Sequence, residues 1–269
     1  MNRALRIASR AWFPVVVAAI IVFLLAPIAV IVAASFTTSN YLSFPPDGLT
    51  LKWYAEVLVD PSWGAAVINS LLLAISSSLI ASVVAVPAAL VLSRRGIRAA
   101  DLLSSFLMLP IMVPSVLFVL GVLLGYQLLD SPVPVLGLIL ALAVLIAPYI
   151  LRTLLAALEE LDPALEEAAM SLGASRLRAW VSVVLPNVLG AYAGGLALAF
   201  IIAFDELVVP LFLAGPALST LPVRIYREVA FDVSPQIAAV SALLVVVTVL
   251  ISTLAARDGS ATRILKEQR

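Results

Sequence analysis

The sequence predicts an all-α integral membrane protein with six transmembrane helices. Of its 269 residues, 63% are hydrophobic and 12% are charged, whereas a soluble domain carries about 25% charged residues. So little charge cannot cover a water-soluble body with polar surface. Six apolar runs are long enough to cross a bilayer core as helices, which takes about 20 residues each. The predicted spans are Pro14–Ala34, Ala66–Leu92, Leu102–Tyr126, Val133–Leu151, Pro186–Leu213 and Pro235–Ala256.

The basic residues predict how these helices are oriented. In one of the two possible orientations, 13 of the 16 Lys and Arg residues lie in cytoplasmic segments. Because basic residues are enriched in cytoplasmic loops, this distribution places both termini in the cytoplasm. It also places residues 152–185 in the cytoplasm and the first loop, residues 35–64, in the periplasm. The three outer basic residues are Lys52, Arg224 and Arg227.

The first outer loop contains a short apolar and aromatic stretch, Leu51–Leu58, which predicts a helix lying along the membrane surface. Trp53, Tyr54 and Trp63 are suited to the headgroup level, where aromatic side chains with a polar tip are enriched. We therefore expect these three side chains to anchor the loop at the interface.

A polar stretch between the fourth and fifth spans predicts a short helix. Asp162 is a favourable N-cap, and Pro163 fits the first helical position, where its missing N–H costs nothing. Glu166 and Glu167 follow in the first turn, where the helix dipole favours negative charge. One face of this helix is apolar at the spacing i, i+3, i+4 and i+7. The residues on that face are Leu165, Ala168, Ala169 and Leu172.

A turn and a second helix are predicted to follow. Gly173 is placed to end the first helix, because glycine adopts the left-handed C′ conformation without penalty. Ser175 is a favourable N-cap for a second helix, which would lead towards Pro186 and the fifth span. The local pattern therefore predicts a helix, a tight glycine turn and a second helix.

The spacing within this stretch resembles the EAA loop of ABC-importer membrane subunits. The residues that carry the resemblance are Glu167-Ala168-Ala169, then Gly173, then Val183-Val184-Leu185-Pro186. The family pattern is Glu-Ala-Ala, three residues, Gly, nine residues and Ile-x-Leu-Pro. Val183 replaces the usual isoleucine, and every other fixed position matches. The alternative interpretation is an ordinary amphipathic helical hairpin on a membrane protein.

This resemblance implies the fold of type I ABC-importer permeases, the MetI-like fold, with residues 1–269 as a single permease domain in the bacterial inner membrane. It implies that the loop is a coupling helix that docks on a cytoplasmic ATPase. The expected partners are a second permease subunit, two ATPase subunits that carry ATP and Mg²⁺, and an extracytoplasmic solute-binding protein that docks on the outer loop. The residues expected to couple to the ATPase are Leu165, Glu167, Ala168, Ala169, Leu172 and Gly173.

The last third of the chain resembles spermidine/putrescine-type permeases. This resemblance implies a polyamine or a related small solute as substrate, and a second permease subunit that is similar but not identical. The segments that carry it are Phe204-Asp205-Glu206, Leu213-Ala214-Gly215-Pro216, Thr220-Leu221-Pro222-Val223, Ile225-Tyr226, and the run from Ser234 to Ser241.

Two adjacent carboxylates, Asp205 and Glu206, lie in a very apolar setting in the fifth predicted span. An aspartate at the centre of a membrane helix costs about 2.5–3.5 kcal/mol, so neither is expected to face lipid. At helical rise, Asp205 lies about 28 Å from Pro186, which places the pair near the outer boundary of the membrane. Two interpretations are open: water-facing residues near a helix end, or part of the substrate path that attracts a cationic amine.

The absence of several residues and motifs excludes enzymatic functions. No cysteine or histidine occurs, which excludes disulfides and removes the commonest general base and metal ligand. There is no Gly-x-x-x-x-Gly-Lys-[Ser/Thr] motif to bind nucleotide phosphates. No metal-ligand cluster is visible in the sequence, and the charges are too dispersed for nucleic-acid binding. We therefore predict a transport subunit that is not an enzyme and has no cofactor of its own.

Two functions from other classes remain open at this point. A stand-alone secondary carrier would transport its solute without an ATPase, although no inverted internal repeat of the kind common in such carriers is evident. A membrane scaffold or sensor would have no transport path.

Overall fold

The structure, a computed structural model, describes residues 3–93, 100–215, 218–231 and 234–257. Within these ranges the regular structure is helical. The helices are α1 (Arg3–Ala34), α2 (Lys52–Val59), α3 (Pro61–Leu92), α4 (Ala100–Met112), α5 (Ser115–Leu128), α6 (Val135–Glu160), α7 (Ala164–Ser171), α8 (Arg176–Ala179), α9 (Leu185–Asp205), α10 (Val208–Leu213), α11 (Leu221–Phe231) and α12 (Pro235–Arg257). A π-helical turn, Trp180–Val184, joins α8 to α9.

Five helical stretches in the described ranges are long and apolar enough to cross a membrane. Helices α4 and α5 meet the same criteria only when they are taken together, and they are bent by 98° at the break between them. Counting this pair as one broken span gives a sixth span. The all-α membrane class predicted from composition is therefore confirmed. The five stretches are Trp12–Ala34, Pro61–Leu92, Val135–Glu160, Arg176–Asp205 and Pro235–Thr253.

The third predicted span, Leu102–Tyr126, is not one continuous helix. Helix α4 ends at Met112 and α5 begins at Ser115. Pro114 lies at the break with an extended ψ of 129°. A proline removes a backbone donor and disfavours helical backbone at the residue before it, here Val113. The prediction of a single helix was wrong because hydropathy alone hides a break inside an apolar run.

The fourth and fifth predicted spans also end at different residues. Helix α6 continues past Leu151 to Glu160, so the first part of the predicted cytoplasmic loop is helical. Helix α9 ends at Asp205, and Glu206 has extended backbone angles. The prediction of a continuous span from Pro186 to Leu213 was therefore wrong at its outer end, where α10 is a separate short helix.

The chain divides into two compact units, Met1–Trp63 with Ile225–Arg269, and Gly64–Arg224. In the first unit α2 packs against α12, and α12 packs against α1. The Gln236 amide of α12 donates a hydrogen bond of 2.7 Å to the Glu56 carboxylate of α2. The prediction of a single permease domain stays a prediction.

The short helix predicted in the first outer loop is present as α2, but two of the three aromatic side chains expected at the membrane surface are buried. Trp53 is only 6% exposed and Trp63 only 3%. The Trp53 indole N–H donates to the Thr37 carbonyl at 2.8 Å. The expectation that both indoles lie among lipid headgroups was wrong, because they are buried in the protein.

The second unit is centred on the packing of α6 against α9. Ile146 and Ile150 of α6 are fully buried, as are Ala199 and Ala203 of α9. A Cβ built on Gly195 of α9 would lie 3.3 Å from the Ile150 backbone and would collide with the Thr153 hydroxyl. The absent side chain at Gly195 is therefore what lets the two backbones approach.

Polar side chains tie the outer end of α3 to the start of α11 within the second unit. Ser70 accepts a hydrogen bond of 2.8 Å from the Leu221 N–H. Asn69 donates one of 3.0 Å to the Ser219 carbonyl. A free N–H at the start of a helix is costly in an apolar setting, so Ser70 stabilises this join.

The close approach of α6 and α9 predicts opposite effects at two neighbouring glycines. Gly195→Ala should destabilise the chain, because overpacking costs about 1–3 kcal/mol and exceeds the gain in helix propensity. Gly194→Ala should stabilise it by about 0.4–1 kcal/mol, since nothing lies within 4 Å of a Cβ at Gly194. Thermal unfolding of the purified variants in detergent measures the difference. Equal midpoints would contradict the tight contact at Gly195.

Candidate functional site

The predicted helix-turn-helix occupies the connection between α6 and α9. Asp162 caps α7 with its carboxylate, which accepts a hydrogen bond of 2.9 Å from the Ala164 N–H. Pro163 has right-handed helical angles, as expected for the first helical position. Glu166 and Glu167 lie in the first turn. The local sequence thus determines where this helix begins.

The turn after α7 is a Schellman motif centred on Gly173. The Gly173 N–H donates to the Met170 carbonyl at 3.0 Å, and the Ala174 N–H donates to the Ala169 carbonyl at 3.1 Å. Gly173 has a φ of +91°, a left-handed conformation that other residues adopt only with strain. The requirement for glycine therefore comes from the backbone, because the space around its Cα is open.

The second helix of the hairpin runs into the membrane span without a break. Ser175 caps α8, accepting from the Arg178 N–H at 3.4 Å. The π-helical turn then leads directly into α9, whose first turn contains Pro186. Proline cannot donate to the preceding turn, and its ring crowds the carbonyl four residues earlier, so a wider turn accommodates it. Asn187 donates a hydrogen bond of 2.7 Å to the Val183 carbonyl in this turn.

The predicted apolar face of α7 is open to its surroundings. No residue of α7 is buried, and Leu172, just past its end, is 89% exposed. Leu165 and Ala168 are exposed, and Ala169 is half-buried. The sequence-based site omitted Leu177, which is 73% exposed in α8. Its signal was a leucine between two arginines, Arg176 and Arg178, on a short helix directly after the predicted glycine turn.

Glu167 lies beside this face with its side chain exposed. Among the residues that the structure describes, its carboxylate has no hydrogen-bond or ion-pair partner. We call Leu165, Glu167, Ala168, Ala169, Leu172, Gly173 and Leu177 the coupling surface.

A cavity of about 190 Å³ lies where the hairpin joins the spans of the second unit. Its walls come from α3, α6, α9 and the side chain of Trp180. The Trp180 indole nitrogen is buried and has no hydrogen-bond partner among the residues that the structure describes. The cavity is partly open to the surroundings, and the neighbouring residues Ala179 and Val184 are buried, so it is a recess in the surface of the joint.

The structure separates the roles of the two adjacent carboxylates. Asp205 is the last residue of α9 and is exposed. Glu206 is half-buried, and its carboxylate accepts hydrogen bonds from the N–H groups of Val208 at 2.8 Å and Val209 at 3.2 Å. Glu206 therefore caps α10, a structural role that the sequence analysis did not assign to it.

Comparison with known protein families identifies the chain's family. A family model described as "Binding-protein-dependent transport system inner membrane component" matches residues 79–258, more than half of the chain.

Three curated relatives match over most of their length. The spermidine/putrescine transport system permease protein PotC of Escherichia coli (strain K12) is 30% identical over 243 residues, covering 89% of this chain and 92% of PotC. The putrescine transport system permease protein PotI of the same strain is 32% identical, covering 82% of this chain and 81% of PotI. PhnV of Salmonella typhimurium, named for 2-aminoethylphosphonate transport, is 30% identical over 86% of this chain and 87% of PhnV.

Two solved structures share the fold. One is a chain of a bacterial ABC transporter involved in the import of the acidic polysaccharide alginate, with a TM-score of 0.69, 18% identity, and 96% and 98% of the two chains covered. The other is a chain of the MetNI methionine ABC transporter in an inward-facing conformation, with a TM-score of 0.60, 18% identity, and 74% and 96% of the two chains covered.

The MetI-like permease fold is thus confirmed. The chain belongs to the binding-protein-dependent ABC importer permeases, as a multi-pass inner-membrane subunit that is not itself an ATPase.

Proposed function

We propose that the coupling surface is the contact through which cytoplasmic ATPase subunits drive this permease. The observation that carries the proposal is its exposed apolar face, which the described part of the chain leaves uncovered. Burying one leucine side chain contributes about 1.5–3 kcal/mol. Leu165, Leu172 and Leu177 therefore supply apolar area that a partner subunit can bury. Glu167 would be the polar anchor beside them.

The backbone around the hairpin supports transmission of movement to the spans. Helix α6 ends at Glu160, only a short connection before α7, and α8 continues into α9. The Schellman turn at Gly173 sets the angle between the two short helices. When the ATPase subunits close on ATP, the hairpin would move as one body and tilt α6 and α9. That tilt would exchange inward for outward access to the path.

The assembly that we propose contains a second, non-identical permease subunit, two ATPase subunits that bind ATP and Mg²⁺, and a soluble solute-binding protein. This chain supplies no nucleotide-binding loop, so the nucleotide and metal would reside on the ATPase subunits. The binding protein would dock on the outer side, at residues 35–64. The buried indole of Trp53 supports this location, because its hydrogen bond to the Thr37 carbonyl fixes the conformation of that loop.

The substrate that we propose is a polyamine of the spermidine or putrescine class. PotC and PotI are named for these compounds, whereas PhnV is named for a zwitterion. The exposed carboxylate of Asp205 at the end of α9 supports a cationic substrate. A radiolabelled-solute binding assay with the purified solute-binding protein distinguishes a polyamine substrate from an aminophosphonate substrate. Retention of spermidine or putrescine is expected, and retention of 2-aminoethylphosphonate alone would contradict the proposal.

A leucine substitution at the coupling surface tests the ATPase contact. Leu172→Ser should reduce ATP-dependent uptake in proteoliposomes at least tenfold, because losing one buried leucine removes more than about 1.4 kcal/mol of contact. Leu128→Ser is the matched control, since Leu128 is also 89% exposed but lies at the end of α5. Equal uptake by the two variants would place the ATPase contact elsewhere. Uptake that needs no ATPase at all would instead indicate a secondary carrier.

The two carboxylates at the end of α9 predict different effects on substrate affinity. Asp205→Asn should raise the apparent KM for a dicationic amine about fivefold, because it removes one exposed charge that attracts the substrate. Glu206→Gln should leave KM unchanged, since glutamine keeps an oxygen that can cap α10. Uptake assays at low ionic strength measure both values. An unchanged KM in Asp205→Asn would remove Asp205 from the substrate path.

A further inference from the structure

The short helix α8 presents an exposed leucine with an arginine on each side. Successive residues of an α-helix are turned by about 100° around its axis. Ala179 is fully buried, so the opposite face of α8 points away from the protein. Leu177 lies on that opposite face and is 73% exposed. Arg176 and Arg178 flank it, and both are exposed.

The two guanidinium groups of α8 are not used within the described part of the chain. Neither Arg176 nor Arg178 has an ion pair or a side-chain hydrogen bond to a residue in these ranges. Helix α7 packs against α8, yet its carboxylates, Glu166 and Glu167, form no ion pair with the arginines. The positive charge on both sides of Leu177 is therefore available to a partner.

We propose that the outward face of α8 docks on an acidic site of the ATPase, an apolar pocket with a carboxylate on each side. This inference rests on the proposed function, in which the coupling surface is the contact with the ATPase. Leu177 fills the pocket, and the guanidinium groups of Arg176 and Arg178 each bind one carboxylate. Arginine suits this contact, because its planar fork matches the geometry of a carboxylate.

The order of charges along the hairpin gives this contact a direction. The exposed carboxylates Glu160, Asp162 and Glu167 precede the glycine turn, and the two arginines follow it. A partner site with carboxylates opposite α8 accepts the hairpin in one orientation, because the reversed orientation brings carboxylates against carboxylates. The charges thus fix which end of the hairpin meets which part of the ATPase.

An anionic membrane surface is the alternative occupant, since it also binds basic residues that lie beside an apolar side chain. It fits this hairpin less well. Glu160, Asp162 and Glu167 are exposed on the same short segment, and anionic headgroups repel carboxylates. A protein site can place an opposite charge against each set, so the charge pattern favours the partner subunit.

The test measures the affinity of the ATPase for the full-length permease, purified in detergent with its second permease subunit. Arg176→Glu/Arg178→Glu should weaken binding about tenfold or more at about 0.1 M NaCl, because two attractions become two repulsions. The loss should shrink at about 1 M NaCl, where the Debye length falls to about 3 Å. Arg227→Glu is the matched control, since Arg227 is an exposed arginine of α11, which the predicted orientation places on the outer side.

A suppressor selection then locates the partner residues. Cells that depend on uptake through the double variant should yield compensating changes that replace an aspartate or glutamate of the ATPase by a neutral or basic residue. Compensating changes that fall only outside the acidic residues of the ATPase would overturn the proposal. Size-exclusion chromatography verifies that each permease variant is folded and assembled.

Two further outcomes would also overturn the assignment of α8. One is equal ATPase affinity in the double variant and in Arg227→Glu. The other is unchanged ATPase affinity together with lost binding of dioleoylphosphatidylglycerol in native mass spectrometry, which would assign α8 to the membrane. Leu172→Ser distinguishes these from a failure of the proposed function. If Leu172→Ser weakens ATPase binding and the arginine variant does not, the coupling surface stands and the α8 contact falls.

Discussion

The close approach of α6 and α9 is the contact on which the second unit depends. Gly195 permits it, because any side chain at this position would meet Thr153 and the Ile150 backbone. Both ends of the coupling hairpin continue into this helix pair, α6 at one end and α9 at the other. A displacement of the hairpin therefore acts on two helices that are already packed together. Independent movement of one of them would expose buried apolar surface such as that of Ile146 and Ala199. The free-energy cost is about 25 cal/mol for each Å² of apolar surface exposed.

Polar side chains replace lost backbone hydrogen bonds at several helix ends and turns of this molecule. An unpaired backbone group in hydrocarbon costs several kcal/mol. Glu206 accepts from the first N–H groups of α10, and Ser70 accepts from the first N–H of α11. Asn187 donates to a carbonyl of the π-helical turn. Each of these polar residues lies in an apolar stretch, and its hydrogen bond to the backbone gives it a structural role.

The features that the sequence predicts correctly are those decided by local chemistry. Asp162, Pro163, Gly173 and Ser175 each act within a few residues of themselves, and the hairpin forms as their pattern indicates. The break at Pro114 and the end of α9 at Asp205 were not predicted, because hydropathy averages over a window longer than the break. The roles of Glu206 and Trp53 depend on which distant groups pack beside them, which residue type and spacing do not specify. The pattern also identified the apolar face of α7 but not Leu177, because that face is completed only when the turn brings α8 alongside.

The two ends of the hairpin differ in how firmly they are held. On the α6 side, the helix continues past Leu151 to Glu160, and Leu154 in this extension is buried in the core of the second unit. On the α9 side, the joint consists of a π-helical turn beside a cavity of about 190 Å³. Within the described part of the chain, the Trp180 indole nitrogen at this joint has no hydrogen-bond partner. Rearranging that joint therefore breaks no hydrogen bond of the Trp180 indole to a described residue. When the hairpin moves, the change in angle should therefore concentrate at the π-helical turn between α8 and α9.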